Sequence, residues 1–275
     1  LRPACYNGAW ALKPSWGAIN TRGGFPSPPS IGHLGFLAGS LADTWISCLW
    51  LSRNAGGDAG HPSLKGDAKL PKSKKPERLA RVDTAGWADT SEPVREIFNE
   101  MIRKLEKRGV EIVSRTDDPA LEIYERDMIE LSKVIEIILA YEYRWPLMMY
   151  ADRSPELLGE RVFNRAKAAA EITPEQYEEA LEWSIAARAR HEALSAKYDA
   201  MLTLNGTGAA PEGLAIGNAV YGEQSSVLGV PTLNAPLLAH DNMPLGIQIL
   251  GYFRRDYDLI AIGHWMIHAV LREED

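Results

Sequence analysis

The residues best suited to chemistry lie in the opening segment, residues 1–36, where Cys5, Lys13, Ser15 and His33 occur among glycines and prolines. A lysine or a cysteine becomes a base or a nucleophile only where its surroundings lower its pKa. Cys5 has no histidine near it in the sequence, so a small packed thiol is the better interpretation. The segment therefore offers one amine, Lys13, either as a base or as a side chain that lines a pocket.

The histidines near the C-terminus raise a metal site as an alternative. His264 and His268 lie one helical turn apart in the stretch HWMIH. The zinc-protease pattern needs a glutamate directly after the first histidine, and Trp265 occupies that place. Because no third ligand is evident, we predict a helix pair of ordinary histidines, with no metal and no cofactor.

The elements that must position these residues alternate between strands and helices. Residues 77–83 and 109–114 are predicted strands, and the amphipathic residues 93–109 between them are a predicted helix. A crossover of this length joins parallel strands and not a hairpin. The end of the chain returns to the sheet, with predicted strands in residues 200–205, 230–238 and 245–251, a turn at residues 241–244 and a closing helix at residues 257–271.

The middle of the chain, residues 119–198, contains no convincing strand and is predicted to be helical. Its last helix begins with Thr173, Pro174 and Gln176, the pattern of a capping box. The opening segment is predicted to be a loop because glycine and proline punctuate it throughout. The predicted fold is α/β, with a mixed, largely parallel β-sheet core flanked by α-helices and a helical middle insertion.

Both ends of the chain carry motif residues in an order that is typical of one enzyme family. The first block contains Pro3-Ala4, Gly8, Lys13-Pro14-Ser15, Gly17, Ser30, His33-Leu34-Gly35 and Ala42-Asp43, and the second contains Gly229-Val230-Pro231 and the run from Met243 to Gly251. Together these blocks resemble the amidase signature family of serine hydrolases. The resemblance implies that residues 1–275 form a single, partial amidase domain in which the mainly helical residues 111–200 form the wall of the substrate pocket.

The resemblance also implies a mechanism that uses a nucleophilic serine, a bridging serine and a lysine that acts as a base when neutral. In the family all three precede the position of Pro3, so we expect them upstream of Leu1 and expect no catalytic residue within this chain. Lys13 matches a different lysine of the family. The chain alone is expected to be inactive, and a homodimer or association with a missing N-terminal portion is expected.

Five residues are candidates for contacting the substrate. Tyr141 and Arg144 lie in the helical middle, where the family varies its substrate choice, and Asn205, Thr207 and Asn218 lie in a small, polar stretch after a buried strand. Loops that follow strands of α/β sheets often line ligand sites. Two alternatives remain open: Glu142 and Arg144 can be a solvated pair beside an apolar stripe, and the stretch at 204–218 can be a surface loop.

Charge and cysteine content exclude several classes of function. The formal net charge of −7 gives no general attraction to nucleic acid or to anionic lipid. No apolar run is long enough to span a bilayer, and the two cysteines provide no disulfide framework. We therefore expect a cytoplasmic protein that binds neither nucleic acid directly nor a membrane, and the resemblance implies that its substrate is a small-molecule amide.

Three functions fit the sequence. The first is an amidase, which hydrolyses a carboxamide C–N bond to a carboxylate and ammonia or an amine through an acyl-serine intermediate. The second is the A-type subunit of the amidotransferase that delivers ammonia to mischarged tRNA; it ranks lower because features of that branch are altered at Val230 and Ser226. The third is a truncated paralogue without catalysis.

Overall fold

A seven-stranded β-sheet forms the centre of the molecule, for which a computed structural model describes residues 1–24, 27–213 and 215–271. In sheet order β2-β1-β6-β7-β5-β3-β4, the strands are β1 (Trp10–Lys13), β2 (Phe36–Ala38), β3 (Arg78–Arg81), β4 (Glu111–Val113), β5 (Ala200–Leu204), β6 (Thr232–His240) and β7 (Met243–Leu250). The helices are α1 (Arg2–Tyr6), α2 (Leu41–Ala55), α3 (Glu92–Lys107), α4 (Pro119–Arg153), α5 (Glu160–Ala169), α6 (Pro174–Ala193), α7 (Val220–Leu228) and α8 (Asp256–Leu271).

The sheet is mixed, as predicted, but less of it is parallel than the sequence suggested. Strand β3 pairs in parallel with β4 and β5, and the predicted β3-α3-β4 crossover unit is confirmed. The other pairings among the described strands are antiparallel. One reason is the tight turn between β6 and β7, where Asp241 and Asn242 have φ values of 51° and 60°. Asn and Asp tolerate this left-handed conformation, so the two strands fold back on each other as a hairpin.

Helices cover both faces of the sheet. On one face, α2, α3 and α8 bury Trp45, Phe98 and Met266 in the larger apolar core. On the other face, α4, α6 and α7 form a second core that contains Tyr124 and Val227. The α/β class with a helix-flanked mixed sheet is therefore confirmed.

The helical middle is also confirmed. Between Val113 and Ala200, a stretch that is described throughout, the structure contains helices and turns and no strand. Helix α4 has 35 residues and includes Pro146. At the start of α6 the Thr173 side chain accepts a hydrogen bond from the Gln176 amide, and the Gln176 side chain accepts one from the Thr173 amide. This reciprocal pair is the predicted capping box.

The prediction of a continuous loop over residues 1–36 is wrong. Residues Arg2–Tyr6 form a short helix that has proline in its first turn, and Trp10–Lys13 form a fully buried strand in the sheet. The stretch WALK becomes a strand because β2 and β6 pair with it on either side. Residues 25 and 26 of the predicted loop lie outside the described residues. Within the described chain, none of the helices combines the length and the apolar character that crossing a bilayer requires.

Candidate functional site

The two motif blocks meet in space. Ala11 of β1 lies opposite Asn234 of β6, and β6 in turn pairs with β7, which carries Gln248. Cys5 Sγ accepts a hydrogen bond of 3.0 Å from the amide of Gly246. Residues that are more than two hundred positions apart in the sequence therefore build one local structure.

A cleft of about 250 Å³ opens beside β1 and β2, and it is lined by residues from positions 1–37 and by Ser226. Its polar side chains are Lys13, His33 and Ser226, and apolar residues such as Ile31 and Leu37 form much of the remaining wall. Strand β1 supplies Lys13, the loop before β2 supplies His33, and α7 supplies Ser226. The accessible wall is about equally polar and apolar, a mixture that can hold a small polar molecule.

Lys13 lies in the wall of this cleft and is only 8% exposed. Its Nζ donates a hydrogen bond of 2.6 Å to the carbonyl oxygen of Val230, in the Gly-Val-Pro motif. Burial lowers the pKa of Lys13 to about 7, against the opposing charge of Asp256 and with a smaller contribution from Arg188. A large part of the Lys13 population is therefore uncharged near neutral pH.

The imidazole of His33 is fixed by its own loop. His33 Nδ1 lies 2.8 Å from the carbonyl oxygen of Ile31, and Nε2 is buried without a hydrogen-bond partner among the described residues. Burial, and next the nearby charge of Lys13, hold the pKa of His33 well below its usual range. The ring is therefore neutral at pH 7.

A network from α4 and α6 holds the loop that carries His33. Glu142 accepts a hydrogen bond from the amide of Ser30 at 3.1 Å and another from the Tyr177 hydroxyl at 2.6 Å. Arg188 donates to the carbonyl oxygens of Ser30 and Val227, at 2.9 Å and 2.7 Å. The loop and α7 are thus joined by a single guanidinium. Sequence reasoning missed Arg188 and Tyr177, because no motif marks them and their role comes from contacts with distant residues.

Of the five predicted substrate contacts, the two on α4 lie beside this network. Tyr141 stacks on Tyr177 with ring centroids 4.1 Å apart and planes tilted by 10°. Arg144 is half-buried one turn along the helix, next to Trp145, which is 74% exposed. Tyr141 thus packs against the network that holds the His33 loop. Contact of either residue with a substrate stays a prediction.

The other three lie in the stretch between β5 and α7. Asn205 is 1% exposed; it donates to Asn234 Oδ1 at 2.6 Å and accepts from Gln248 Nε2 at 3.0 Å. Thr207 is half-buried in the following turn, and the exposed Asn218 donates to Asp89 at 2.9 Å. The contacts of Asn205 are therefore those of a buried strand-to-strand link. A substrate role for these three residues also stays a prediction.

A larger groove, of about 330 Å³, lies at the beginnings of β3, β4 and β5. Four of its charged side chains pair with one another: Arg78 with Glu111 at 2.9 Å, and Lys74 with Asp199 at 3.8 Å. We place the candidate site at the cleft of Lys13 and His33 because residues of the first motif block line it.

The metal and thiol alternatives gain no support from the geometry. Within the described ranges, no group of three His, Cys, Asp or Glu side chains is placed to hold a metal ion. His264 Nδ1 lies 2.8 Å from the Pro71 carbonyl oxygen. Burial raises the pKa of the Cys5 thiol to about 11, so Cys5 is a packed, protonated thiol.

Known structures share this fold. An amidase crystal structure has 22% sequence identity over 98% of this chain and 60% of that chain, with a TM-score of 0.79. A bacterial aryl acylamidase of the amidase signature enzymes has 14% identity over 97% of this chain and 59% of its own, with a TM-score of 0.75. The A-type subunit of the glutamyl-tRNA(Gln) amidotransferase of Thermotoga maritima has 17% identity over 99% of this chain and 60% of its own, with a TM-score of 0.68.

These likenesses establish the fold, and the chain spans about 60% of the length of these structures. A comparison with curated protein sequences finds no match. The Amidase family model, in contrast, matches residues 1–260. The chain therefore belongs to the Amidase family, as its two motif blocks predicted.

Proposed function

We propose that the protein is an amidase that hydrolyses a carboxamide C–N bond to a carboxylate and ammonia or an amine. The observation that carries this proposal is the contact between the two motif blocks beside the cleft: Lys13 of the first block lines the cleft, and its Nζ donates to the Val230 carbonyl oxygen of the second. The apolar half of the cleft wall suits the acyl part of a small amide, and the polar half suits the amide itself.

We propose further that the reaction passes through an acyl-serine. A serine hydroxyl attacks the amide carbon while a neutral lysine takes its proton; the C–N bond then breaks, and the proton goes to the leaving nitrogen. Water next hydrolyses the ester. We propose that this serine, its bridging serine and the catalytic lysine lie outside the 275 residues, so that the chain alone is inactive.

The test compares the chain alone with the longest polypeptide that its gene encodes. We expect the longer protein to react stoichiometrically with a fluorophosphonate and to release ammonia or amine from a panel of aliphatic and aryl amides. We expect neither from the chain alone. A longer protein that is neither labelled nor active would contradict the amidase proposal and favour a paralogue without catalysis, and serine labelling of the chain alone would contradict the location of the nucleophile.

A second candidate function is supported by the likeness to the Thermotoga maritima amidotransferase protein. A protein of that kind would release ammonia from glutamine and pass it to a partner subunit that acts on mischarged tRNA. It ranks lower because Val230 and Ser226 depart from that branch. Copurification of further subunits, together with glutamine-dependent activity on mischarged tRNA, would favour it over the amidase.

We also propose that the chain associates with the remaining part of an amidase fold along the edge strand β2. Leu37 of β2 and the α2 side chains Ile46 and Trp50 are 56%, 43% and 65% exposed, which leaves apolar surface on the edge strand and on the helix that contacts it. Open strand edges with apolar flanks favour association. We expect the chain alone to self-associate in sedimentation experiments and Trp50→Glu to weaken this. A monomer with a sharp thermal transition would contradict the proposal, and a defined dimer would favour a second copy of the chain as the partner.

We propose a cytoplasmic location, in agreement with two cysteines that are both buried and unpaired. Cell fractionation with an antibody against the chain tests this.

A further inference from the structure

Helix α4 carries an apolar stripe along the side that faces the core. The stripe consists of buried side chains three or four positions apart, which are Leu121, Tyr124, Met128, Leu131, Ile135 and Ile138. The same spacing continues to Glu142, Trp145 and Met149, which therefore lie on the same side of the helix. Glu142 is bonded to Tyr177 of α6, whereas Trp145 and Met149 are 74% and 53% exposed. The stripe thus continues beyond the core to which it belongs.

The stripe loses its cover where α6 begins. Tyr177, near the start of α6, stacks on Tyr141 of α4. Arg190, near the end of α6, pairs with Asp127, so the two helices run antiparallel and α4 extends beyond α6 by about two turns. Leu147 lies two positions from both exposed residues and therefore on the opposite side of α4; it is 7% exposed, and α5 packs against α4. Only the stripe side of this extension is left uncovered by the described residues.

The uncovered surface has the size of a protein interface. Residues 141–171 form the α4–α5 hairpin, which comprises the end of α4, a short turn and α5. Its exposed large apolar side chains are Trp145, Met149, Tyr150, Leu157 and Val162, at 74%, 53%, 44%, 79% and 39%. They present on the order of 400 Å² of apolar surface, at about 200 Å² for a whole aromatic side chain and about 100 Å² for Leu, Met or Val. A standard interface buries about 800 Å² per partner, somewhat more than half of it apolar.

The charges of the hairpin favour a second copy of the chain as the partner. Residues 141–171 contain five acidic and five basic side chains and have a net charge of zero, whereas the whole chain has −7. Two copies can therefore meet here without repulsion, and an anionic lipid surface gains no attraction. Arg144 lies at one end of the exposed stripe and Asp152 at the other. A two-fold axis across α4 pairs the two helices antiparallel and brings each Arg144 near Asp152 of the partner subunit.

We propose that the exposed stripe of the α4–α5 hairpin binds the same stripe of a second copy, antiparallel about a two-fold axis. The two copies continue the apolar contacts that α4 makes with α6 within each chain. This surface is separate from the β2 edge, because α2 covers one face of the sheet and α4 covers the other. The inference is independent of the amidase function.

The test first weakens the other association surface. All proteins carry Trp50→Glu, and we expect this chain to sediment as a dimer. Adding Trp145→Glu should raise the dissociation constant of the dimer at least about thirtyfold, as for a tryptophan at the centre of an interface. Ile129→Glu is the matched control: Ile129 is 49% exposed on the same helix, on the side opposite to Ile138, and its replacement should change the constant by less than about twofold.

A charge exchange tests the antiparallel arrangement. Arg144→Asp places like charges beside each other in the dimer and should weaken it by about threefold or more, and adding Asp152→Arg should restore it. Restoration needs the two residues to face each other across the two copies, which a role of Arg144 within its own chain does not produce. A double variant as weak as Arg144→Asp alone would overturn the proposed arrangement.

The unchanged protein gives a measurement that does not depend on the folding of a variant. Backbone amides in residues 145–153 should exchange hydrogen more slowly as the protein concentration rises, both in the chain and in the longest polypeptide that its gene encodes. A monomeric Trp50→Glu chain, or a dimer that Trp145→Glu leaves intact, would overturn the inference. A monomeric longer polypeptide with these amides protected at every concentration would also overturn it, because another part of that polypeptide would then cover the stripe.

Discussion

The hydroxyl of Ser15 donates a hydrogen bond of 2.7 Å to a carboxylate oxygen of Asp256, a residue 241 positions further along the chain. The amide of Ser15 donates to the other carboxylate oxygen at 2.8 Å. Asp256 is the first residue of α8, where the helix dipole favours a negative charge. Burial raises the pKa of Asp256, and the two bonds from Ser15 oppose that rise. This contact fixes the first motif block onto the helix that closes the fold.

Replacing Ser15 by alanine should therefore destabilise the chain. Ser15→Ala removes the bond to Asp256 and also the acceptor for the Arg254 amide, which lies 2.9 Å from Oγ. We expect the free energy of unfolding to fall by about 1–3 kcal/mol, because a buried carboxylate and a partly buried amide each lose a partner. Urea denaturation measures this, with Ser47→Ala on the exposed face of α2 as the control, expected within about 0.5 kcal/mol of wild type. Equal effects of the two changes would contradict a structural role for the contact.

Asn205 can be tested as a structural link as well as a substrate contact. Asn205→Ala leaves Asn234 on one side and Gln248 on the other without their present partner, so we expect a loss of about 2–4 kcal/mol in the free energy of unfolding. Thr207→Val, two positions later in a half-buried turn, should change stability by less than about 1 kcal/mol. Differential scanning calorimetry of both variants gives the comparison. A stable Asn205→Ala protein that has lost amide binding would instead favour the substrate role alone.

Local signals in the sequence predicted much of this fold. The capping box at Thr173 and the turn at Asp241 and Asn242 depend on residues within a few positions of each other, which a sequence displays directly. Strand β1 escaped prediction because four residues between Gly8 and Pro14 carry little periodicity, and the strand exists only through its pairing with β2 and β6. Pairing between distant segments is not visible in a local pattern.

The candidate site shows the same difference between local sequence signals and contacts between distant residues. Lys13 and His33 were singled out because they lie in motif blocks, whereas Arg188 gains its importance from a bond to Ser30, 158 positions away. The sheet has more antiparallel pairing than the sequence suggested, for a similar reason. Strand β5 pairs antiparallel with β7 and parallel with β3, and the order of the strands along the chain does not determine these directions.

His191 should make the protein sensitive to mild acid. Its ring is fully buried and Nε2 lies 2.9 Å from the Gly251 carbonyl oxygen, and burial lowers the pKa of His191 from 6.5 to about 4. As the pH falls below 6.5, the unfolded chain takes up a proton that the folded chain does not, so the free energy of unfolding decreases until the pH approaches 4. Between pH 7 and 4.5 this amounts to about 2 kcal/mol.

The matched variant is His191→Gln, whose side-chain amide can still donate to Gly251 and does not titrate. We expect wild type to lose more stability than this variant between pH 7 and 4.5 in thermal denaturation experiments. Loss of the ring contacts with Tyr124 and Tyr252 lowers the stability of the variant at every pH and so leaves the difference in slope intact. Parallel pH profiles for the two proteins would show that His191 does not titrate in this way.

Arg188 should affect ligand binding only by holding the residues of the cleft wall in place. Its guanidinium donates to Ser30, in the loop that continues to His33, and to Val227, the neighbour of Ser226. It also lies 5.4 Å from the Trp16 ring. Arg188→Met keeps the length and apolar stem of the side chain and removes both bonds, so the two walls of the cleft lose their link. We expect benzamide to bind about tenfold more weakly, since placement errors below 1 Å already weaken hydrogen bonds.

The control for this change lies two positions along the same helix. Arg190 pairs with Asp127 of α4 at 2.6 Å, and its side chain is 39% exposed. Arg190→Met should leave benzamide binding within about twofold of wild type, because a surface ion pair contributes little and the cleft is not involved. If both variants bind benzamide as wild type does, the guanidinium does not set the geometry of the cleft.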